Sequence, residues 1–85
     1  MVLEAFSIRD QKAEAYNTPF FQKTKGEAVR SFMTAVNDKS TNLNKYPEDF
    51  DLYQIGQWDD LKGQMVPLDT PKHVGKAIEY LEKQP

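Results

Sequence analysis

Residues 16–36, YNTPFFQKTKGEAVRSFMTAV, carry the change from extended to helical patterning on which the fold turns. Tyr16, Pro19, Phe20 and Phe21 form an aromatic, extended entry. Lys23, Thr24, Lys25, Gly26 and Glu27 form a short polar turn. Thr24 followed three places on by Glu27 is a capping-box pattern: the hydroxyl accepts the Glu27 N–H and the carboxylate reaches back to the Thr24 N–H. Ala28, Val29, Phe32, Met33 and Val36 then recur at helical spacing and define one buried face. A helix is therefore predicted from about residue 25 to about residue 37. Neighbours in an extended segment point to opposite sides. Of Phe20 and Phe21, one is expected in the core and the other exposed. Aromatics and lysines held at a helix start can grip a nucleic-acid strand. The same residues are also ordinary material for a small core.

Working outward, residues 2–9, VLEAFSIR, read as a first strand with apolar residues on both parities, hence covered on both sides or central. A polar turn at 10–12 leads into an irregular second strand over 13–21. Pro19 lacks a backbone donor and confines that strand to an edge. Residues 39–45 read as polar loop, and Pro47 fixes a turn before the strongest strand, 50–58, FDLYQIGQW. The apolar parity of that strand changes between Leu52 and Tyr53, and Gly56 marks a bulge or a close backbone approach. Residues 59–63 are a hairpin connection with Gly63 suited to a left-handed position. Gln64 to Leu68 returns as an edge strand marked by Pro67. Thr70 as N-cap and Pro71 at the first helical position open a predicted second helix. Val74, Ala77, Ile78 and Leu81 supply its stripe, with His73 at its third position. The expectation is a single α+β domain over residues 1–85: a small antiparallel sheet of three to four strands packed with two helices. Phe6, Ile8, Phe32, Val36, Phe50, Leu52, Ile55, Val74, Ile78 and Leu81 are its expected core.

Composition narrows the function classes. There is no cysteine, which excludes disulfides and thiolate metal sites, and the one histidine makes a zinc site or a histidine triad improbable. No apolar run approaches the roughly 20 residues of a membrane helix. MVLEAFSIRD has neither a basic start nor a long apolar block, so no signal peptide is expected. A net charge of −2 argues against bulk electrostatic binding to duplex DNA. The charge is uneven: residues 1–45 carry seven Lys/Arg against five Asp/Glu, and residues 46–85 carry four against eight. This asymmetry can give one basic and one acidic surface.

No enzyme motif is present: no GxGxxG, phosphate loop, HExxH or nucleophile elbow. Neither a catalytic residue nor a cofactor is expected. The clusters Glu48/Asp49/Asp51 and Asp59/Asp60 could bind a divalent cation or move protons. Both flank turns, where aspartate commonly bonds the local backbone. Trp58 is either a stacking platform or the plug of the hairpin end, and Tyr53 carries the same two readings. Arg9, Lys12, Lys23, Lys25 and Arg30 are the best basic patch available.

FSIRDQKAEAY at 6–16, PFF at 19–21, GEAVRSF at 26–32, YPEDFDLYQIGQWD at 46–59 and LDTPKHVG at 68–75 resemble the small nonstructural protein of gokushoviruses and related single-stranded DNA phages of the microvirus group. The likeness spans nearly the whole chain in order. It implies a protein of the infected bacterium's cytoplasm that is not part of the virion. It further implies DNA binding, tied to the switch from duplex replication to single-strand synthesis for packaging. The expected contacts are Lys23, Lys25 and Arg30 to phosphates and Tyr16, Phe20 or Phe21 to bases. The rival is an interaction module that binds a replication initiator or host protein through the acidic second half. Small DNA binders gain site size by pairing, so a homodimer through an edge strand or a spare apolar helix face is expected.

Overall fold

Alternation along residues 2–10 and 50–59 builds the centre of the molecule. Strand β1 (Val2–Asp10) pairs antiparallel with β4 (Phe50–Asp59) over its whole length, from Val2 opposite Asp59 to Asp10 opposite Phe50. The computed structural model describes residues 2–82. The outer edge of β1 is covered in two pieces, β2 (Ala15–Tyr16) and β3 (Phe20–Gln22), with Pro19 in the gap between them. Strand β5 (Gln64–Lys76) closes the other side against β4. The result is one five-stranded antiparallel sheet, in which the order β2-β1-β4-β5 is completed by β3 on β1.

Helix α1 (Lys25–Val36) starts where the capping pattern places it, with the Glu27 N–H donating to Thr24 Oγ1 at 3.2 Å. Its Ala28, Phe32 and Val36 are buried against Phe6, Phe50 and Leu52 of the sheet and Ala77. Phe6 and Ile8 share one parity on β1, and Phe50 and Leu52 one parity on β4, so α1 backs a single face of the sheet. A four-residue helix, α2 (Asn42–Lys45), stands within the stretch expected as loop. Thr41 Oγ1 and Asn44 Nδ2 donate to the carbonyls of Ala35 and Val36 at 2.7 and 2.9 Å, so this segment satisfies the end of α1.

The expected α+β arrangement of three to four strands with two helices is corrected: the protein is mostly β, a curled half-barrel sheet with small helices. The second helix is where the reading fails. Residues 70–76 continue β5, with Lys72, His73, Gly75 and Lys76 opposite Gln54, Tyr53, Leu52 and Asp51. Only four residues, α3 (Ala77–Tyr80), are helical. A helix carrying Gly75 and lacking length is marginal by itself. The open edge of β4 offers the same residues a backbone ladder, and that non-local pairing wins. Val74 and Leu81 still pack against the core, but Ile78 is 40% exposed, and Ile8 and Ile55 are only partly buried.

Two irregularities lie at one level of the sheet. Ala5 pairs with Gly56 and Phe6 with Gln54, which leaves Ile55 as an extra residue on β4. On the other side Gln54 pairs with Lys72 and Gly56 with Pro67, so residues 68–71 stand against Ile55 alone. The backbone of β5 presses close here: a Cβ on Gly56 would lie 2.5 Å from the Val66 carbonyl oxygen. Gly56 thus serves both a bulge and a close approach. Gly63 closes the hairpin at φ 65°, with its N–H on the Asp59 carbonyl at 2.8 Å.

Candidate nucleic-acid interface

The face of the sheet away from α1 carries Leu3, Ala5, Ser7 and Arg9 of β1, because these share the parity opposite to Phe6 and Ile8. Residues directly opposite in an antiparallel ladder project to the same side. Asp51 and Tyr53 of β4, Tyr16 of β2 and His73 of β5 therefore join Ser7 and Arg9. Their side chains form a closed ring. Arg9 Nε donates to Gln11 Oε1 at 3.2 Å, and Gln11 Nε2 donates to Asp51 Oδ2 at 2.7 Å. His73 Nε2 bonds Asp51 Oδ1 at 2.9 Å, and the His73 ring meets Tyr53 edge-on at 5.3 Å. Tyr53 meets Tyr16 edge-on at 5.5 Å, and the Arg9 guanidinium lies 5.3 Å from the Tyr16 ring centre. Lys76 Nζ adds a contact of 3.5 Å to Asp51 Oδ2.

Asp51 is the buried member of the ring, at 3% exposure, while Tyr16 is 41% exposed and the His73 side chain 47%. Burial pushes the Asp51 carboxyl up. Hydrogen bonds from Gln11 and His73 and the positive charge of Lys76 outweigh it and hold the group below the usual carboxylate range. Polar and aromatic groups of the ring thus meet solvent above an ionised carboxylate.

Toward the hairpin the same face becomes apolar. Leu3 lies opposite Trp58 and Trp58 opposite Met65, while Ala5 lies opposite Phe21. The Phe21 and Trp58 rings sit 6.1 Å apart, tilted by 53°. Phe21 and Met65 are 39% and 38% exposed. Between the two aromatic groups Ala5 and Ser7 are buried, and Ser7 Oγ donates to the Asn17 carbonyl at 2.6 Å, tying down the gap between β2 and β3.

The six residues singled out in the sequence do not form one patch. Tyr16 belongs to the ring and Phe21 to the Trp58 pair. Phe20 turns toward the core, partly buried, and stacks on Phe6 at 5.9 Å. Lys23 and Lys25 are exposed at the start of α1, close in sequence to Phe21. Arg30 is exposed on α1 and lines a shallow depression with Met33, Thr34, Asn37 and Glu82, so it stands on the helix backing the other face. Tyr53 and Trp58, each open to two readings above, are the aromatic partners of Tyr16 and Phe21. Asp51, Gln11, His73 and Lys76 were missed as a group. Their signal is the shared parity of Ser7/Arg9 and Asp51/Tyr53, which pairs polar residues across two strands. His73 and Lys76 could not join them while residues 70–76 read as helix. Among the described residues no group of three metal-ligating side chains forms. Asp59 instead accepts the Leu61 and Lys62 N–H groups at 3.0 and 3.2 Å, a local turn role.

A small curled sheet backed on one side by a helix and open on the other, aromatic side defines the class: a small, mostly β protein. A family model described as Phage ORF5 protein matches residues 3–80. Protein ORF5 of Chlamydia phage 1, a gokushovirus, is 40% identical over 69 residues, covering 76% of this chain and 72% of that protein. No solved structure matches. The chain belongs to the Phage ORF5 protein family, and it is a small phage protein of the microvirus group.

Proposed function

We propose that this phage protein binds single-stranded DNA across the open face of its sheet, in the host cytoplasm and outside the virion, during genome replication and the switch to single-strand synthesis. The observation that carries the reading is the aromatic and cationic row on that face: Tyr16, Tyr53 and His73 with Arg9 at one end, Phe21 and Trp58 at the other. Base–aromatic stacking is indifferent to sequence and contributes about 1–3 kcal/mol per base. Phosphates fall to Arg9 and Lys76 beside the ring and to the exposed Lys23 and Lys25, which follow Phe21 in the chain. With a net charge of −2, affinity rests more on stacking than on charge.

The test is a fluorescence titration of a short labelled oligonucleotide over a range of salt. Each phosphate contact contributes about −0.7 to the log–log salt slope on single strands. Tyr53→Ala is expected to weaken binding by about 1–3 kcal/mol with the slope nearly unchanged. Replacing Lys23 and Lys25 with alanine should make the slope shallower by about 1.4. Absence of wild-type binding at low salt would remove this reading.

A second reading has its own observation. The hairpin of β4 and β5 carries Leu61 in its turn and Met65, Val66 and Leu68 on the edge strand β5, at 37–88% exposure. Exposed apolar edges accept other chains. A replication protein or a second copy of this chain, giving a homodimer, is the occupant that reading requires. Light scattering and pull-down by the hairpin variant Val66→Lys separate it from DNA binding.

A further inference from the structure

We propose that Asp51 is a positioning residue of the open face: without touching DNA itself, it holds the stacking row in place. The inference rests on the single-strand reading above and adds a role that reading does not need. A carboxylate beneath a surface meant for phosphates is at first sight a defect, since it repels them. Two facts reverse that view. Asp51 is 3% exposed, so its oxygens are out of reach of a strand lying on the face. It is also where the ring closes. Oδ2 accepts from Gln11, which in turn accepts from Arg9; Oδ1 bonds His73, whose ring edge meets Tyr53. From Arg9 the circuit returns through Tyr16 to Tyr53. Every other member lies at least partly in solvent, where a lone side chain samples several rotamers. One buried anion thus orders groups from β1, β2, β4, β5 and the turn after β1. Lys76, at 3.5 Å from Oδ2, helps offset its charge. Groups held in place before binding do not have to be ordered at the moment of binding, which raises affinity.

The experiment titrates fluorescein-labelled oligothymidylate with wild type, Asp51→Asn, Tyr53→Ala and the double variant, across salt and well below each variant's melting temperature. Asparagine keeps the shape but removes the charge that holds His73 and Lys76. The expected result is a loss of fivefold or more for Asp51→Asn, with a salt slope no steeper than that of wild type. The double variant should lose clearly less than the sum of the two single losses, because a positioning residue acts through the groups it positions, Tyr53 among them. Tighter binding with a steeper slope would show that Asp51 acts only as a repelling charge and would overturn the proposal. Losses that simply add in the double variant would overturn it too, by reducing Asp51 to general stability. Should Asp51→Asn not fold, His73→Gln opens the ring while leaving Gln11 and Lys76 on the carboxylate, and the same non-additivity with Tyr53→Ala is required. If wild type itself fails to bind, the single-strand reading falls and this inference with it. If wild type binds and the coupling is absent, only the inference falls.

Discussion

A single buried carboxylate shows how residue-scale electrostatics is tied to the fold. Asp51 costs free energy to bury, and the structure offsets that cost with Gln11, His73 and Lys76. Its folded-state pKa lies below the ordinary carboxylate value, so the unfolded chain binds more protons at this position than the native one in the window between the two values. Stability from Asp51 is therefore fully present above the unfolded carboxylate pKa of about 3.9 and is lost as pH falls through the lower folded value. Urea midpoints should fall steadily from about pH 4.5 downward. Asp51→Asn should start from a lower midpoint and fall less steeply over the same window. Parallel slopes for the two proteins would mean that Asp51 is not depressed by its partners. The Asp51 charge itself stood in the sequence within an acidic turn cluster. Its burial was not legible, because that depends on β5 lying alongside and on Gln11 reaching across from the far end of β1.

At the scale of elements, local signals were read correctly where the residues decide alone and incorrectly where a distant strand decides. Thr24 and Glu27 fix the start of α1, although among the described residues only the Thr24 half of the capping box forms. Phe32 is 1% exposed and meets Tyr80 edge-on at 5.7 Å, so one phenyl joins α1, the sheet and α3. Phe32→Ala should cost about 3–5 kcal/mol. A two-state urea melt measures it, and a change under 1 kcal/mol would remove α1 from the core. The hydrophobic stripe of Val74, Ala77, Ile78 and Leu81 has helical spacing, yet Ala77 alone of the four is fully buried. Periodicity reports what a segment could bury as a helix. It is blind to a β4 edge more than fifteen residues away that offers hydrogen bonds to the same backbone.

For the molecule as a whole, the basic first half and the acidic second half of the sequence share one sheet. β1 and β4 come from opposite halves and are paired along their length, with Arg9 opposite Asp51. A division runs across the sheet, at the bulges around Ile55 and residues 68–71. Below them the sheet is backed by α1, and the buried Phe6, Phe50 and Leu52 lie there. Above them runs the β4–β5 hairpin, where residues 64–70 are all exposed. The molecule is accordingly long, 47 × 25 × 19 Å, with a Cα radius of gyration of 13.3 Å against about 12 Å for a compact chain of this length. Backbone hydrogen bonds lacking packed side chains above them open at low free energy. Amides of Trp58, Met65 and Val66 should therefore exchange with solvent orders of magnitude faster than those of Leu52 and Ile8, at a rate little affected by Phe32→Ala, whereas the Leu52 and Ile8 amides should speed up by the full loss of global stability. Hydrogen exchange followed by NMR measures both. If the hairpin amides were as slow as Leu52 and moved with it on that substitution, the sheet would open as one unit. The bulges would then only bend it, and Phe21 and Trp58 would stand on ground as firm as Tyr16 and Tyr53. If the hairpin opens separately, the two aromatic groups of the open face differ in stiffness. A single strand bound across both should then protect the hairpin amides more than any others.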